Sequence, residues 1–206
     1  MMHRVCRVCV FLDWQNVYHC ARESFGLTRG AATAGQVDPV ALGRLLAARV
    51  PHGVLAEVCI YRGRLSRRRD PRSFAAFRRQ TEAWRQTGGL VSIIARDLRY
   101  RGDWPARRAE EKGIHVALAV DFVLMAAQCQ YDVGMLFSSD TDLVPALEAV
   151  MALRAGEASG CEVAAWAPPA GHARVLSVRH AHLRQHLLKM ADFLAVADDT
   201  DYTSAR

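Results

Sequence analysis

A chain of 206 residues, 51% of them apolar, can bury a full core as one domain of ordinary size. No apolar run approaches the ~18 residues of a membrane span, and Val8 to Leu12 is too short for a signal peptide, so a membrane-spanning or exported chain is not expected. The net charge of +6 and pI near 9.3 point to a polyanionic partner or to a basic surface, and say nothing about fold.

In chain order, Val5 to Leu12 predicts a strand apolar on both faces apart from Arg7, the pattern of a central strand in a parallel sheet covered by helices. Asp13-Trp14-Gln15-Asn16 follows, then a helix to about Phe25 and a Gly-, Ala- and Thr-rich loop, Gly26 to Gln36. Asp38-Pro39 has the N-cap and N1 signature of a helix with Val40, Leu42, Leu45 and Leu46 on its apolar face. Val54 to Tyr61 predicts a second strand, ended by Arg62-Gly63-Arg64 and the Arg67-Arg68-Arg69 run. Ser73 can cap a helix in which Phe74, Phe77, Thr81 and Trp84 recur near a 3.6 period, and Gly88-Gly89 stops it. Leu90 to Ala95 is the third strand, followed by an Arg-rich connection, Arg96 to Arg108, with Tyr100 and Trp104 interleaved. From Arg62 to Arg108 there are fourteen Arg against four acids, Asp70, Glu82, Asp97 and Asp103, so half of the basic residues lie in one stretch.

Ile114 to Gln128 predicts a strongly apolar helix carrying His115 and Asp121. Asp132 opens the sequence DVGMLFSSDTDLVP. Within it Met135 to Phe137 fits a buried strand, Ser138, Ser139 and Asp140 break the apolar pattern, and Leu143 resumes it as a helix running to about Arg154. A turn at Gly156 to Gly160, a fifth strand at Glu162 to Trp166, a loop at Pro168 to Gly171 and a last helix from Arg179 to Leu194 complete the domain. Strands alternating with helices imply an α/β three-layer sandwich around a five-stranded parallel sheet, with one domain over residues 1–197 and a frayed polar tail over 198–206.

Ligand sites in such sheets lie at the carboxyl ends of strands, and Asp13 and Asp140 both occupy such ends. Asp140 and Asp142 read as helix caps when taken alone, and Asn16 could cap the first helix. Three apolar elements that each deliver a carboxylate, with Asp121 as the third, are hard to explain by capping. Two carboxylates ~4 Å apart repel by about 4 kcal/mol at an effective dielectric near 20, so clustered acids call for a cation. Mg²⁺ or Mn²⁺ suits them, because a hard ion needs a few carboxylates and water rather than a His or Cys cage.

The six cysteines are scattered through apolar segments and read as reduced, buried thiols of a cytoplasmic protein. Cys6 and Cys9 form a lone CxxC without a second pair, which leaves a metal or redox role the minority reading. His180, His182 and His186 invite a zinc reading, but no Glu completes an HExxH motif, and a surface cluster on the last helix is more economical.

Three co-ordered motifs carry a family resemblance. They are Val10 to Tyr18 (VFLDWQNVY), Glu111 to Asp121 (EKGIHVALAVD) and Leu136 to Pro145 (LFSSDTDLVP). Over about Val5 to Leu194 the chain resembles a NYN domain of the PIN-like nuclease superfamily, particularly its bacterial LabA-like members. The resemblance implies a PIN-like, Rossmann-like sheet of order 3-2-1-4-5 and a Mg²⁺- or Mn²⁺-dependent endoribonuclease. Carried over by motif, Asp13, Asp121, Asp140 and Asp142 form its acidic site, with Asn16 beside it. Two positions depart from the family: His115 stands where many relatives have Asp, and Ser139 where they usually have Gly.

RNA, single-stranded by expectation, would be met by Arg62, Arg64, Arg67, Arg68, Arg69 and Arg101, with Trp104 or Tyr100 stacking an unpaired base. The expected partners leave room for a homodimer. The competing class is a catalytically silent NYN module that binds RNA or a protein, with His115 marking decay of the site. A phosphatase or DNA nuclease using the same acids is the third.

Overall fold

The computed structural model describes residues 4–154 and 160–204. The expected turn at Gly156 to Gly160 therefore lies outside the described residues except for its last glycine.

The elements follow in the order β1 (Cys6–Asp13), α1 (Trp14–Ser24), α2 (Pro39–Ala47), β2 (Gly53–Arg64), α3 (Pro71–Arg85), β3 (Val91–Asp97), α4 (Ile114–Ala127), β4 (Val133–Phe137), α5 (Val144–Leu153), β5 (Cys161–Trp166), β6 (Gln185–Leu188) and α6 (Met190–Val196). A short 3₁₀ turn, Thr141–Leu143, joins β4 to α5. All pairings of the main sheet are parallel, in the order β3-β2-β1-β4-β5-β6. The chain thus folds as the expected α/β layered sheet flanked by helices, with one strand more than expected.

The extra strand corrects the reading of Arg179 to Leu194 as one helix. Gln185–Leu188 alternates exposed and buried along a sheet edge, and the helix begins only at Met190. His186 therefore sits on β6, buried beside Glu162 with Nε2 and Oε2 2.5 Å apart, and belongs to no surface histidine cluster.

The period-two alternation of β1 divides the core. Val8, Val10 and Leu12 pack with residues of α1, α2 and α6, whereas Cys9 and Phe11 pack with α4 and α5 on the other face. Cys6 and Cys9, three residues apart on one strand, go to opposite faces, and all six cysteines are free. Among the described residues no helix is long and apolar enough to cross a membrane.

Local signals set the helix starts. Asp38 Oδ1 accepts from the Ala41 amide with Pro39 following, as expected. Asp70, not Ser73, caps α3: its Oδ1 accepts from the Ser73 amide at 3.0 Å. The Arg-rich connection after β3 closes on itself through paired backbone hydrogen bonds between Arg99 and Glu110. Beyond α6, Arg79 on α3 donates to the carbonyls of Tyr202 and Thr203, and Tyr202 donates to Asp198.

Candidate active site

Asp13 ends β1 and caps α1, so its carboxylate does two jobs with two oxygens. Oδ1 accepts from the Asn16 amide at 3.4 Å, and Oδ2 accepts from Ser138 Oγ at 2.9 Å. It shares the α4 side of the sheet with Phe11, two residues earlier, and is only 2% exposed. Asp140, just past the end of the neighbouring β4, is built in the same way. Its Oδ1 caps the 3₁₀ turn by accepting from the Asp142 amide at 3.0 Å, which leaves Oδ2 directed elsewhere.

The Oδ2 atoms of the two acids meet one imidazole. His115, in the first turn of α4, places Nε2 3.3 Å from Asp13 Oδ2 and Nδ1 2.9 Å from Asp140 Oδ2. A neutral imidazole can donate from only one nitrogen, so two carboxylate partners select the doubly protonated ring. The His115 pKa is accordingly raised to about 9, chiefly by the hydrogen bond to Asp13 and against the pull of burial, with the charges of Asp13, Asp140 and Glu111 adding. At neutral pH an imidazolium stands between the two acids.

Glu111 approaches from the connection before α4. Its Oε1 accepts from the Gly63 amide at 2.7 Å, and burial pushes its carboxyl up despite that bond. Gly63 permits the approach, because a Cβ there would lie 2.8 Å from Glu111 Oε1. Asn16 is tied to Ser139 twice: Nδ2 donates to Ser139 Oγ at 3.0 Å and Oδ1 accepts from the Ser139 amide at 3.1 Å. The Ser139 side chain and amide thus lock α1 to the loop after β4.

Of the residues singled out from the sequence, Asp13 and Asp140 meet through His115, and Asn16 braces the loop between them. Asp142 is exposed at the mouth. Asp121 does not join this arrangement: it lies farther along α4 and accepts from Tyr61 OH at 2.9 Å. The α4 position that reaches the crevice is 115, which the sequence marks only as a departure from the resembled family's pattern. Among the described residues no group of three or more His, Cys, Asp or Glu is arranged to hold a metal ion. What remains for a cation is a pair of carboxylates facing one position. That donor set suits a hard ion that keeps most of its waters, provided the imidazolium gives way.

The arginines divide. Arg64 is paired to Asp97 and Arg101 to Glu110, each through two contacts, and Arg69 lies over the Tyr100 ring. Tyr100 in turn packs edge-on to Trp104. Arg67 and Arg68 are exposed, with no ion pair among the described residues. Arg62 is no surface cation: its guanidinium lies 4.6 Å from the Phe77 ring centre, with Trp84 and Trp14 also close, and burial pulls its pKa down to about 10.

A parallel sheet flanked by helices, with paired acids at its carboxyl edge, defines an α/β protein whose candidate site lies where ligands meet such sheets. The NYN domain model matches residues 7–167, and the chain belongs to that family of PIN-like nucleases. It is also similar to the crystal structure of a protein of unknown function from Vibrio parahaemolyticus RIMD 2210633. That likeness has a TM-score of 0.50 and 15% identity, covers 90% of this chain and 93% of the other, and speaks to fold alone. No curated protein matches the chain.

Proposed function

We propose that this protein hydrolyses RNA phosphodiester bonds with Mg²⁺ or Mn²⁺ held by Asp13 and Asp140. The observation that carries the reading is the pair of Oδ2 atoms converging on one cation, His115, from two strand ends. Such an ion supplies Lewis acidity toward a phosphoryl oxygen and a bound water of lowered pKa. The chain's own residues do the rest. Ser138 and the α1 amides hold Asp13 in place, the 3₁₀ turn holds Asp140, and Asn16 with Ser139 keeps the two strand ends in register. His115 is the residue that must turn away from one acid for the ion to enter. Arg67 and Arg68 are the exposed cations available to the RNA backbone.

Asp13→Asn and Asp140→Asn test this directly. Each is expected to reduce Mn²⁺-dependent cleavage of single-stranded RNA by about a hundredfold or more, with circular dichroism unchanged. Normal cleavage by both variants would remove the site from the mechanism. A DNA and phosphomonoester panel run alongside decides the substrate, since carboxylates and metal do not select ribose.

A second reading, a silent module that binds RNA or a protein, is favoured by one observation: the imidazolium already bridges the two acids and offsets one of their two charges without a metal. It predicts that Mn²⁺ neither binds at Asp13 and Asp140 nor supports cleavage.

A further inference from the structure

A large cavity among the described residues has no part in the acid chemistry just described. It measures about 800 Å³ and opens at the same carboxyl edge of the sheet as Asp13, on the α1 and α3 side. That is within the usual range of ligand sites. Its position follows from register. Asp13 and Tyr61 are partners across β1 and β2, and the next residue of each, Trp14 and Arg62, lines the cavity. Successive strand residues point to opposite faces, so the cavity and the acid crevice flank one carboxyl edge from the two sides of the sheet.

The lining has a definite chemistry. Tyr18 from α1 and Tyr202 from the segment after α6 each present a half-exposed ring. Behind them an ordered polar relay runs through the wall: Arg62 Nη1 donates to Gln80 Oε1 at 2.8 Å, and Gln80 Nε2 donates to Gln36 Oε1 at 2.7 Å. The relay fixes each amide's orientation and leaves the NH₂ group of Gln36, a lining residue, without a side-chain acceptor in the relay. Arg62 is committed to its aromatic box, with Nε buried and unpartnered, so it is not a free phosphate contact. Asp199 and Asp201 also line it; Asp201 already accepts from Thr203 and Ser204, so Asp199 is the carboxylate able to accept from an amino or hydroxyl group. Flat rings, side-chain amides and the Asp199 carboxylate, with no arginine or lysine left free in the lining, suit an uncharged heterocycle better than the anionic backbone of a nucleic acid.

We propose that this cavity is a nucleobase pocket: one unstacked base of single-stranded RNA enters between Tyr18 and Tyr202 while the strand continues over the carboxyl edge of the sheet toward the Asp13–Asp140 crevice. The proposal rests on the reading of that crevice as an RNA site, and extends it by a base-binding position that can impose sequence preference on cleavage.

Ala76 lines the cavity from the partly exposed face of α3, so Ala76→Trp fills the space without opening the core. The experiment measures anisotropy of fluorescein-labelled RNA hexamers of A, C, G and U in EDTA, where metal-dependent cutting is suppressed. Wild-type protein is expected to rank the four hexamers. Ala76→Trp and Tyr18→Ala should each weaken the best of them by about tenfold or more and flatten the ranking, with melting temperatures showing that both variants fold. Wild-type affinity and ranking in a folded Ala76→Trp would overturn the pocket. Nucleoside monophosphates competing as tightly as hexamers would overturn the assignment to RNA in favour of a soluble nucleotide. The two readings fail separately: hexamer binding that depends on Ala76 without any Mn²⁺-dependent cleavage keeps the pocket and removes the nuclease, whereas cleavage indifferent to Ala76→Trp does the reverse.

Discussion

Replacing His115 with alanine removes the cation that holds the two strand ends together, and its cost can be worked from the structure. The rise of the His115 pKa from 6.5 to about 9 corresponds to roughly 3 kcal/mol, at about 1.4 kcal/mol for each tenfold change in proton affinity. The side chain is 35% exposed, so solvent screening leaves about 1.5 kcal/mol. For a chain of this size that is a fall in Tm of about 3–6 °C. Because the folded-state pKa is raised, the contribution is fully present below about pH 6.5 and is lost as the pH rises through about 9. Thermal melts of wild type and His115→Ala in EDTA, at about pH 6, 8 and 10, should therefore show a gap that is widest at the acid end and closes at the alkaline end. Glu111 also faces the ring, but it is present in both proteins and drops out of the difference to first order. A gap independent of pH, or a variant as stable as wild type at about pH 6, would refute the imidazolium bridge.

Three further outcomes follow from the same geometry. Asp121→Asn should lower Mn²⁺-dependent cleavage by less than about tenfold, because Asp121 serves Tyr61 and not the crevice, and an Asn can still accept that hydrogen bond; a loss as deep as that of Asp13→Asn would return Asp121 to the site. Arg67→Glu and Arg68→Glu should weaken binding of every RNA sequence alike and flatten the salt dependence by about 0.7 per lost phosphate contact, whereas Arg101→Gln, whose partner is Glu110, should change the slope little. Gly134→Ala would bring a Cβ to 2.7 Å from Phe122 and 2.8 Å from Tyr131, and urea titration should show a destabilisation of about 1–3 kcal/mol.

Where the chain's local chemistry and its tertiary role coincide, the sequence was a sufficient guide. β1 and β4 are apolar on both faces and stop at acids, so the two strand ends and their carboxylates could be placed before any coordinates. The Asp38-Pro39 and Gly88-Gly89 boundaries were legible for the same reason, and both glycines have positive φ. Elsewhere the pattern underdetermined the fold. α4 is apolar nearly all round, with Val116, Val120 and Leu124 exposed, so periodicity could not tell which polar residue meets Asp13 and Asp140, and the pattern pointed to Asp121 where His115 makes those contacts. Gln185–Leu188 is too short for its alternation to stand out within a helix-like stretch. Arg62 looked like part of a solvated arginine run, yet its place on β2 turns it inward among Trp14, Phe77 and Trp84.

The most direct test of the proposed metal site is a crystal of the full chain soaked in Mn²⁺ and measured at a wavelength where manganese scatters anomalously. The account predicts one peak within coordination distance of Asp13 Oδ2 and Asp140 Oδ2, with the His115 ring turned from its present bridge. An unbroken Asp13–His115–Asp140 bridge with no peak in the crevice would contradict it.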